Sequence, residues 1–191
     1  MRTHIRPALV LLTCFTLLTG VIYPVLVTGL ARSLFPHQAG GSLVRNPSGE
    51  LVGSELLGQA FAEPRYFAGR PSATGPAPYN AAASGASNQG PLNPDLHTAA
   101  SERIAVLRAA NPGVQGEIPA DLAAGSGSGL DPHISPEAAR FQAPRVAAAR
   151  GWTTERVLAR VEIHVEARTF GVLGEPRVNV LRLNQDLDAQ H

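Results

Sequence analysis

The feature that most constrains this chain is an uncharged, mostly apolar segment near its N-terminus. Residues 7–31 read PALVLLTCFTLLTGVIYPVLVTGLA, and Arg6 and Arg32 bound them. At about 1.5 Å per residue, a helix of this length spans roughly 37 Å, whereas the hydrocarbon core of a bilayer is about 30 Å thick. The segment therefore predicts one transmembrane helix.

Two processed forms compete with this interpretation. A signal peptide has a shorter apolar core and ends at an A-x-A-like cleavage site, whereas this segment ends as Leu-Ala-Arg-Ser over 30–33. A lipoprotein would be acylated at Cys14, the only cysteine, but bulky residues precede it and a long uncharged stretch follows. We therefore expect the helix to remain as an uncleaved anchor.

The flanking charges indicate an orientation. Two arginines and the α-amino group precede the helix, whereas a glutamate opposes the two arginines that follow it. The positive-inside rule thus slightly favours a cytoplasmic N-terminus. The expected organisation is a short cytoplasmic tail over 1–6, a transmembrane helix over 7–31 and a soluble extracytoplasmic domain over 32–191.

Small or weakly polar side chains recur along one side of the predicted helix. Their spacing of three or four residues keeps them in register, and helices associate in lipid where small side chains let backbones approach. The alternative is that Gly and Pro are simply common in membrane helices. Pro24 cannot donate to the carbonyl of Gly20, so we expect a kink there. This candidate packing face consists of Thr13, Thr16, Gly20, Pro24, Thr28 and Ala31.

Composition excludes several classes of function. All 16 basic residues are Arg, so mechanisms that need a lysine amine are absent. A net charge of +1 gives no broad basic surface for nucleic acid. The apolar segment holds no Asp, Glu, His, Lys or Arg, and ion paths through membranes use such groups. An ion that this protein helps to transport would pass through another polypeptide.

Residues 32–191 predict an α+β domain with a small sheet and about three to four helices. Residues 42–61 predict two short strands around an Asn-Pro-Ser-Gly turn. Residues 64–93 predict a long loop, which we expect to be ordered and to face a partner; the alternative is a disordered linker. The aromatic side chains Tyr66, Phe67 and Tyr79 can attach this loop to the domain.

Capping patterns predict where the helices begin. Asn93-Pro94, Ser135-Pro136 and Thr153 each resemble a helix N-terminus. We expect the second helix to be interrupted before Pro144 and the third to present Val157, Leu158, Val161 and Val165 on one face. The residues 176–184 predict a strand with a short helical tail. The expected buried face of the first helix consists of Leu96, Ala100, Ile104 and Leu107.

The most unusual stretch is GSGSGLDPHISP over 125–136. Alternate glycines let a backbone approach a ligand or another chain closely, but the stretch matches no phosphate-binding motif. A hydrolase triad of Ser128, Asp131 and His133 is the less favoured alternative, since triads draw on separate elements. Asp131 and His133 lack further ligands at zinc-like spacing, so no metal site is expected. An Asx-type turn at Asp131 is favoured, as is a solvated face for Arg145, Arg150, Arg156 and Arg160; no catalytic residue is predicted.

Four blocks resemble a known family. They are GVIYPVLVTGLA at 20–31, GRPSA at 69–73 with YNAAASGASN at 79–88, SGSGLDPHISPEAA at 126–139 with PRVAAARG at 144–151, and GEPRVNVLRLN at 174–184. Together and in this order they resemble the C subunit of the bacterial Kdp potassium-transporting P-type ATPase. The resemblance runs from about residue 19 to residue 188.

This resemblance implies an accessory subunit in the cell inner membrane. The implied partners are a P-type ATPase catalytic subunit and a channel-like potassium-conducting subunit, and the implied role is assembly together with a chaperone effect that raises the ATP affinity of the ATPase subunit. ATP is implied through the complex, with no cofactor bound directly by this chain. The alternatives are an anchored extracytoplasmic hydrolase and an anchored binding module. The candidate partner or ligand loop consists of Ser84, Ser87, Asn88, Ser126, Gly127, Ser128, Gly129, Asp131 and His133.

Overall fold

A computed structural model describes residues 2–190 of the chain. Two compact units are present, one ending at Leu43 and the other beginning at Val44. The first unit is built on a helix over Thr3–Leu34 with a mean hydropathy of 2.2, long and apolar enough to cross a bilayer, and none of that window is buried. The predicted apolar helix is therefore present, and it extends beyond 7–31 at both ends.

The helix changes its winding near Pro24. Helix α1 (Arg2–Leu17) passes into a π-turn (Leu18–Ile22) and then into α2 (Tyr23–Leu34). The N–H of Tyr23 donates to the carbonyl of Leu18, five residues back. Since Pro24 has no N–H for the Gly20 carbonyl, a wider turn lets the chain pass the proline ring. The irregularity expected at Pro24 is therefore a π-turn over the residues that precede the proline.

The second unit is an α+β domain, as the sequence predicts. A short helix α3 (Pro36–Ala39) precedes it in the chain, and a 3₁₀ turn (Ala81–Ala83) interrupts its long loop. The strands are β1 (Leu43–Arg45), β2 (Leu51–Ser54), β3 (His133–Ile134), β4 (Val165–Glu166) and β5 (Arg177–Asn179). The helices are α4 (Pro94–Ala110), α5 (Ala120–Ala123), α6 (Pro136–Arg150), α7 (Thr154–Ile163) and α8 (Val180–Asp188).

Two small sheets organise the strands. β1 and β2 pair around the predicted turn, which the N–H of Gly49 closes on the carbonyl of Asn46 at 2.9 Å. The other sheet has the order β3-β5-β4 and is antiparallel throughout. Val178 of β5 pairs with Ile134 on one side and with Val165 on the other. Because β5 continues directly into α8, its pairing with β3 places His133 and Ile134 beside the start of that helix.

Side-chain caps explain where the helices begin. Asn93, Ser135, Thr153 and Asn179 each accept a hydrogen bond from a backbone N–H in the first turn of the following helix, which pairs a donor that the helix itself leaves free. Gly151 ends α6 in the left-handed conformation at φ 67°, which glycine adopts without a Cβ clash. The three predicted helix starts are confirmed.

The core lies among α6, α7, α8 and β5. Its side chains come from every one of these elements and from the loop residue Phe67. Burying an aliphatic or aromatic side chain of this size contributes about 1.5–3 kcal/mol, so these contacts dominate the stability of the domain. Its larger members with no exposed surface are Phe67, Val146, Val157, Val161, Val178, Leu183 and Leu187.

Three expectations about the helices were wrong. Helix α6 runs through Pro144 without interruption, because tertiary packing of its buried face compensates for the hydrogen bond that proline removes. Helix α4 has no buried residue and Ile104 is 40% exposed, so the predicted face is not a buried one, although Leu107 packs half-buried against the core. Val165 lies in β4 rather than on α7, which ends at Ile163.

Candidate interaction platform

Two loops that are distant in the sequence form one surface, which we call the platform: residues 69–88 and 125–133. The carbonyl of Ser128 accepts a hydrogen bond from the N–H of Gly85 at 2.9 Å and from the hydroxyl of Ser84 at 3.0 Å. The hydroxyl of Ser72 donates to the carbonyl of Gly129 at 2.7 Å. These bonds are largely backbone-directed, so the loops hold each other in a defined conformation. The long loop over 64–93 is therefore ordered where it meets residues 125–133.

Gly129 is required where the loops cross. Its φ is 68°, and a Cβ placed there would lie 2.5 Å from Cγ2 of Thr74 and 2.9 Å from the carbonyl oxygen of Gly85. Both the backbone conformation and the space exclude other residues. Gly58 is similarly confined, since its Cβ would lie 2.5 Å from the ring of Tyr79. Close approach of backbones thus explains part of the glycine content that distinguishes these segments.

An ionic group closes one end of the platform. Arg70 Nη1 lies 3.1 Å from Oδ2 of Asp131, and the N–H of His133 donates to Asp131 Oδ1 at 3.0 Å. The second bond is the predicted Asx-type turn, which is confirmed. Burial acts to raise the pKa of Asp131, but hydrogen bonds from His133 and Arg70 outweigh it, and the pKa lies below its ordinary value. Asp131 is therefore a fixed carboxylate at neutral pH.

Tyr79 stabilises the first platform loop by hydrogen bonds to two of its residues. Its hydroxyl donates to the carbonyl of Arg70 at 2.6 Å, and its N–H donates to the hydroxyl of Ser72 at 2.9 Å. Burial, followed by the nearby charge of Asp131, raises the pKa of Tyr79. The phenol is thus neutral and hydrogen-bonded. It holds the long loop in place, which is the role that the sequence analysis expects of Tyr79.

Side-chain amides attach the start of the long loop to the core. The carboxamide of Asn184 accepts from the N–H of Phe67 at 2.8 Å and donates to its carbonyl at 3.0 Å. Gln142 does the same for Ala68, at 2.8 Å and 3.1 Å. Each amide imitates a strand partner for one residue of the loop. Sequence reasoning missed both residues; the available signal was a polar side chain within an otherwise apolar helix face.

Two arginines that we expected on a solvated face bind loop backbone instead: the side chain of Arg150 is buried, and Arg145 is half-buried. The side chain of Arg150 is only 1% exposed, and it donates to the carbonyls of Arg65 and Leu187 and to Asp188. Arg145 donates to the carbonyls of Pro64 and Tyr66, and burial lowers its pKa. These guanidinium groups stabilise irregular backbone because each presents several donors in a fixed plane. The expectation of a solvated face was therefore wrong for both.

The remaining predicted loop residues separate into two groups. Ser126 is buried at 4% exposure, and its hydroxyl has no hydrogen-bond partner within the described part of the chain. Gly127, Ser87 and Asn88 are exposed, and Asn88 has a positive φ of 53°. The hydroxyl of Ser128 accepts from the N–H of Leu130 at 3.1 Å. This side-chain bond closes a local turn over residues 128–130. The structure thus brings Ser84, Ser128, Gly129 and Asp131 into one network and leaves Ser87 and Asn88 at its exposed side.

The platform borders an open cleft of about 460 Å³. Its charged lining includes Arg70, Asp131, His133, Glu175 and Arg177. Over residues 2–190, no three His, Cys, Asp or Glu side chains are grouped to hold a metal ion. The arrangement offers paired charges and backbone groups for contact with another molecule.

The fold and the platform define a class: a protein with one apolar N-terminal helix followed by an α+β domain in which two loops are joined by hydrogen bonds. Comparison with known proteins identifies the family. The family model described as "K+-transporting ATPase, c chain" matches residues 5–189. The potassium-transporting ATPase KdpC subunit of Herpetosiphon aurantiacus is 59% identical, over 98% of this chain and 97% of its own length. That of Methylococcus capsulatus is 57% identical, over 99% of both chains. The chain belongs to the KdpC family of potassium-transporting ATPase subunits.

Proposed function

We propose that this chain is the accessory subunit of an ATP-driven potassium-uptake complex. Its partners in this proposal are the P-type ATPase catalytic subunit and the channel-like subunit that conducts potassium. The observation that carries the proposal is the family match, which extends from the apolar helix to α8 over residues 5–189. The chain itself is not an enzyme in this proposal, since transport chemistry belongs to the ATPase subunit.

The apolar helix supports a role in assembly. Its side chains are exposed in the isolated chain, so lipid or other helices must cover them. The packing face from Thr13 to Ala31 meets the helices of the partner subunits, and the other side faces lipid. The N-terminus is cytoplasmic and the α+β domain extracytoplasmic in this arrangement. A reporter enzyme fused to the C-terminus would be active only outside the cytoplasm, and activity in the cytoplasm would contradict the orientation.

The same subunit raises the affinity of the ATPase subunit for ATP. The family resemblance supports this chaperone effect, and the absence of lysine from the sequence favours an effect transmitted through the complex over a phosphate site on this chain. Nucleotide binding to the purified complex, measured with and without this subunit, tests it. We expect weaker ATP binding when the subunit is missing and no ATP binding to the subunit alone. Equal affinity in both preparations would contradict the chaperone role.

A further inference from the structure

One backbone carbonyl in the apolar helix has no donor within the helix. In the π-turn over Leu18–Ile22, the N–H of Tyr23 donates to the carbonyl of Leu18, so it does not serve the carbonyl of Thr19. The next residue along the chain is Pro24, which has no N–H to donate. The carbonyl of Thr19 is therefore left without a backbone partner either four or five residues ahead, the α-helical and π-helical spacings.

Side chains of the same helix do not replace this donor. The hydroxyl of Thr19 donates to the carbonyl of Phe15 at 2.7 Å, and the hydroxyl of Thr13 donates to the carbonyl of Leu9 at 2.8 Å. Among residues 2–190, no side-chain hydrogen bond ends on the carbonyl of Thr19. A donor for this group must therefore come from outside the chain.

The depth of this carbonyl makes the missing bond unfavourable. Thr19 is the midpoint of the uncharged segment over 7–31, about 18 Å along the helix axis from either end. In a membrane-spanning helix this is the centre of a hydrocarbon core about 30 Å thick, where water is not available as a donor. Neighbouring helices are a common source of the hydrogen bond that a proline removes from a membrane helix.

The unpaired carbonyl opens towards the candidate packing face. A helix carbonyl points along the axis towards the N–H that it would bind. For Thr19 this is the direction of Pro24, which belongs to that face. Gly20 follows Thr19 on the same face and has no side chain to cover the carbonyl, and an added Cβ there would meet nothing within 4 Å. A second helix that packs on this face can therefore reach the carbonyl.

We propose that the carbonyl of Thr19 accepts a hydrogen bond from a hydroxyl or carboxamide side chain on a transmembrane helix of another subunit of the potassium-transporting ATPase. The donor is uncharged, because the apolar segment holds no acidic side chain that would pair with a cation in the membrane. This inference rests on the proposed function, since it requires the chain to be assembled with membrane-embedded partners.

Selective isotope labelling isolates this carbonyl for NMR. Threonine labelled with carbon-13 at its carbonyl and glycine labelled with nitrogen-15 give one-bond correlations only at Thr-Gly sequences, which occur at 19–20, 28–29 and 74–75. We expect the carbonyl carbon of Thr19 to move downfield between nanodiscs with one copy of the chain alone and the purified complex, because a new hydrogen bond deshields it. The carbonyl of Thr28 is the internal control, since the regular helix α2 already pairs it.

The same spectra distinguish between the possible donors. An unchanged Thr19 signal on assembly overturns the proposal, because the carbonyl is then bound by water in both preparations or by nothing in either. A shift that already appears when two copies share one nanodisc overturns it in favour of a second copy of this chain. If the wild-type chain does not assemble with the ATPase and channel-like subunits, the proposed function fails as well.

Replacing Pro24 by alanine returns the missing N–H to the helix. In Pro24→Ala the helix serves its own carbonyl and the donor of the partner is left unpaired, so the labelled variant subunit exchanges out of the complex about 3–30-fold faster than wild type. Pro7→Ala is the matched control, since Pro7 also lies inside α1 but at the edge of the apolar segment, where water reaches the backbone. It exchanges at the wild-type rate. Wild-type exchange by Pro24→Ala, or equal acceleration by both variants, overturns the proposal.

Discussion

The carboxamide of Asn184 binds both the N–H and the carbonyl of Phe67, at 2.8 Å and 3.0 Å. Phe67 has no exposed surface, so these two bonds pair backbone groups that water cannot reach. An element at the C-terminal end of the domain thereby fixes the point where the long loop leaves the core. The platform depends on this attachment, because its first segment begins two residues later.

Replacing Asn184 by leucine tests this attachment. Asn184→Leu keeps the approximate size of the side chain but leaves a buried N–H and a buried carbonyl unpaired, which costs about 2–4 kcal/mol of unfolding free energy. Urea denaturation of the full chain in detergent measures the loss. Gln115→Leu replaces an exposed amide and serves as the control, with a change close to zero. Equal stability of the two variants would mean that the amide bonds contribute nothing net.

The sequence predicted the elements better than it predicted how they are held together. The starts of α4, α6 and α7 follow from local capping chemistry, which acts within one turn. The roles of Asn184 and Arg150 could not be derived in this way, since their partners lie 117 and 85 residues away in the chain. The exposure of Ile104 on α4 could not be predicted either, because whether an apolar helix face is buried depends on the tertiary packing around it.

The crossing of the two platform loops depends on Gly129. In Gly129→Ala the new Cβ meets Thr74 and the Gly85 carbonyl at distances below 3.0 Å, at a φ of 68°, so the loops must separate. We expect a loss of about 2 kcal/mol or more and faster amide exchange over residues 84–88. Gly127→Ala is the matched control, since no atom lies within 4 Å of its added Cβ. Unchanged exchange in Gly129→Ala would contradict the interlocked arrangement.

Acid sensitivity follows from Asp188. Burial acts to raise its pKa, but hydrogen bonds from Arg150, Arg65 and Tyr66 bring the pKa below the ordinary value of 3.8. A pKa that is lower in the folded chain than in the unfolded chain means that the carboxylate stabilises the fold above about pH 3.8, and that this stability is lost as the pH falls through the folded value.

Asp188→Asn should therefore melt about 2–4 °C below wild type at neutral pH, and the difference should shrink as the pH is lowered towards 3. Thermal unfolding followed across this range provides the test. Glu117→Gln removes an exposed carboxylate and should follow the wild-type curve throughout. A constant difference between Asp188→Asn and wild type at every pH would exclude the carboxylate as the cause.

The packing face of the apolar helix can be tested at two glycines. An added Cβ meets nothing within 4 Å at either Gly20 or Gly29, so leucine at either position leaves the isolated chain unchanged. The two glycines are nine residues apart, which at about 100° per residue places them on opposite sides of the helix. Gly20 belongs to the proposed packing face, and Gly29 does not.

We therefore expect Gly20→Leu to reduce recovery of the partner subunits in a detergent pull-down by about tenfold or more, because a large side chain keeps the helix backbones apart. Gly29→Leu should recover them at the wild-type level. Both variants should insert into the membrane equally, since leucine favours insertion. Equal recovery by the two variants would show that the small residues do not form the contact, and greater loss with Gly29→Leu would place the contact on the opposite side.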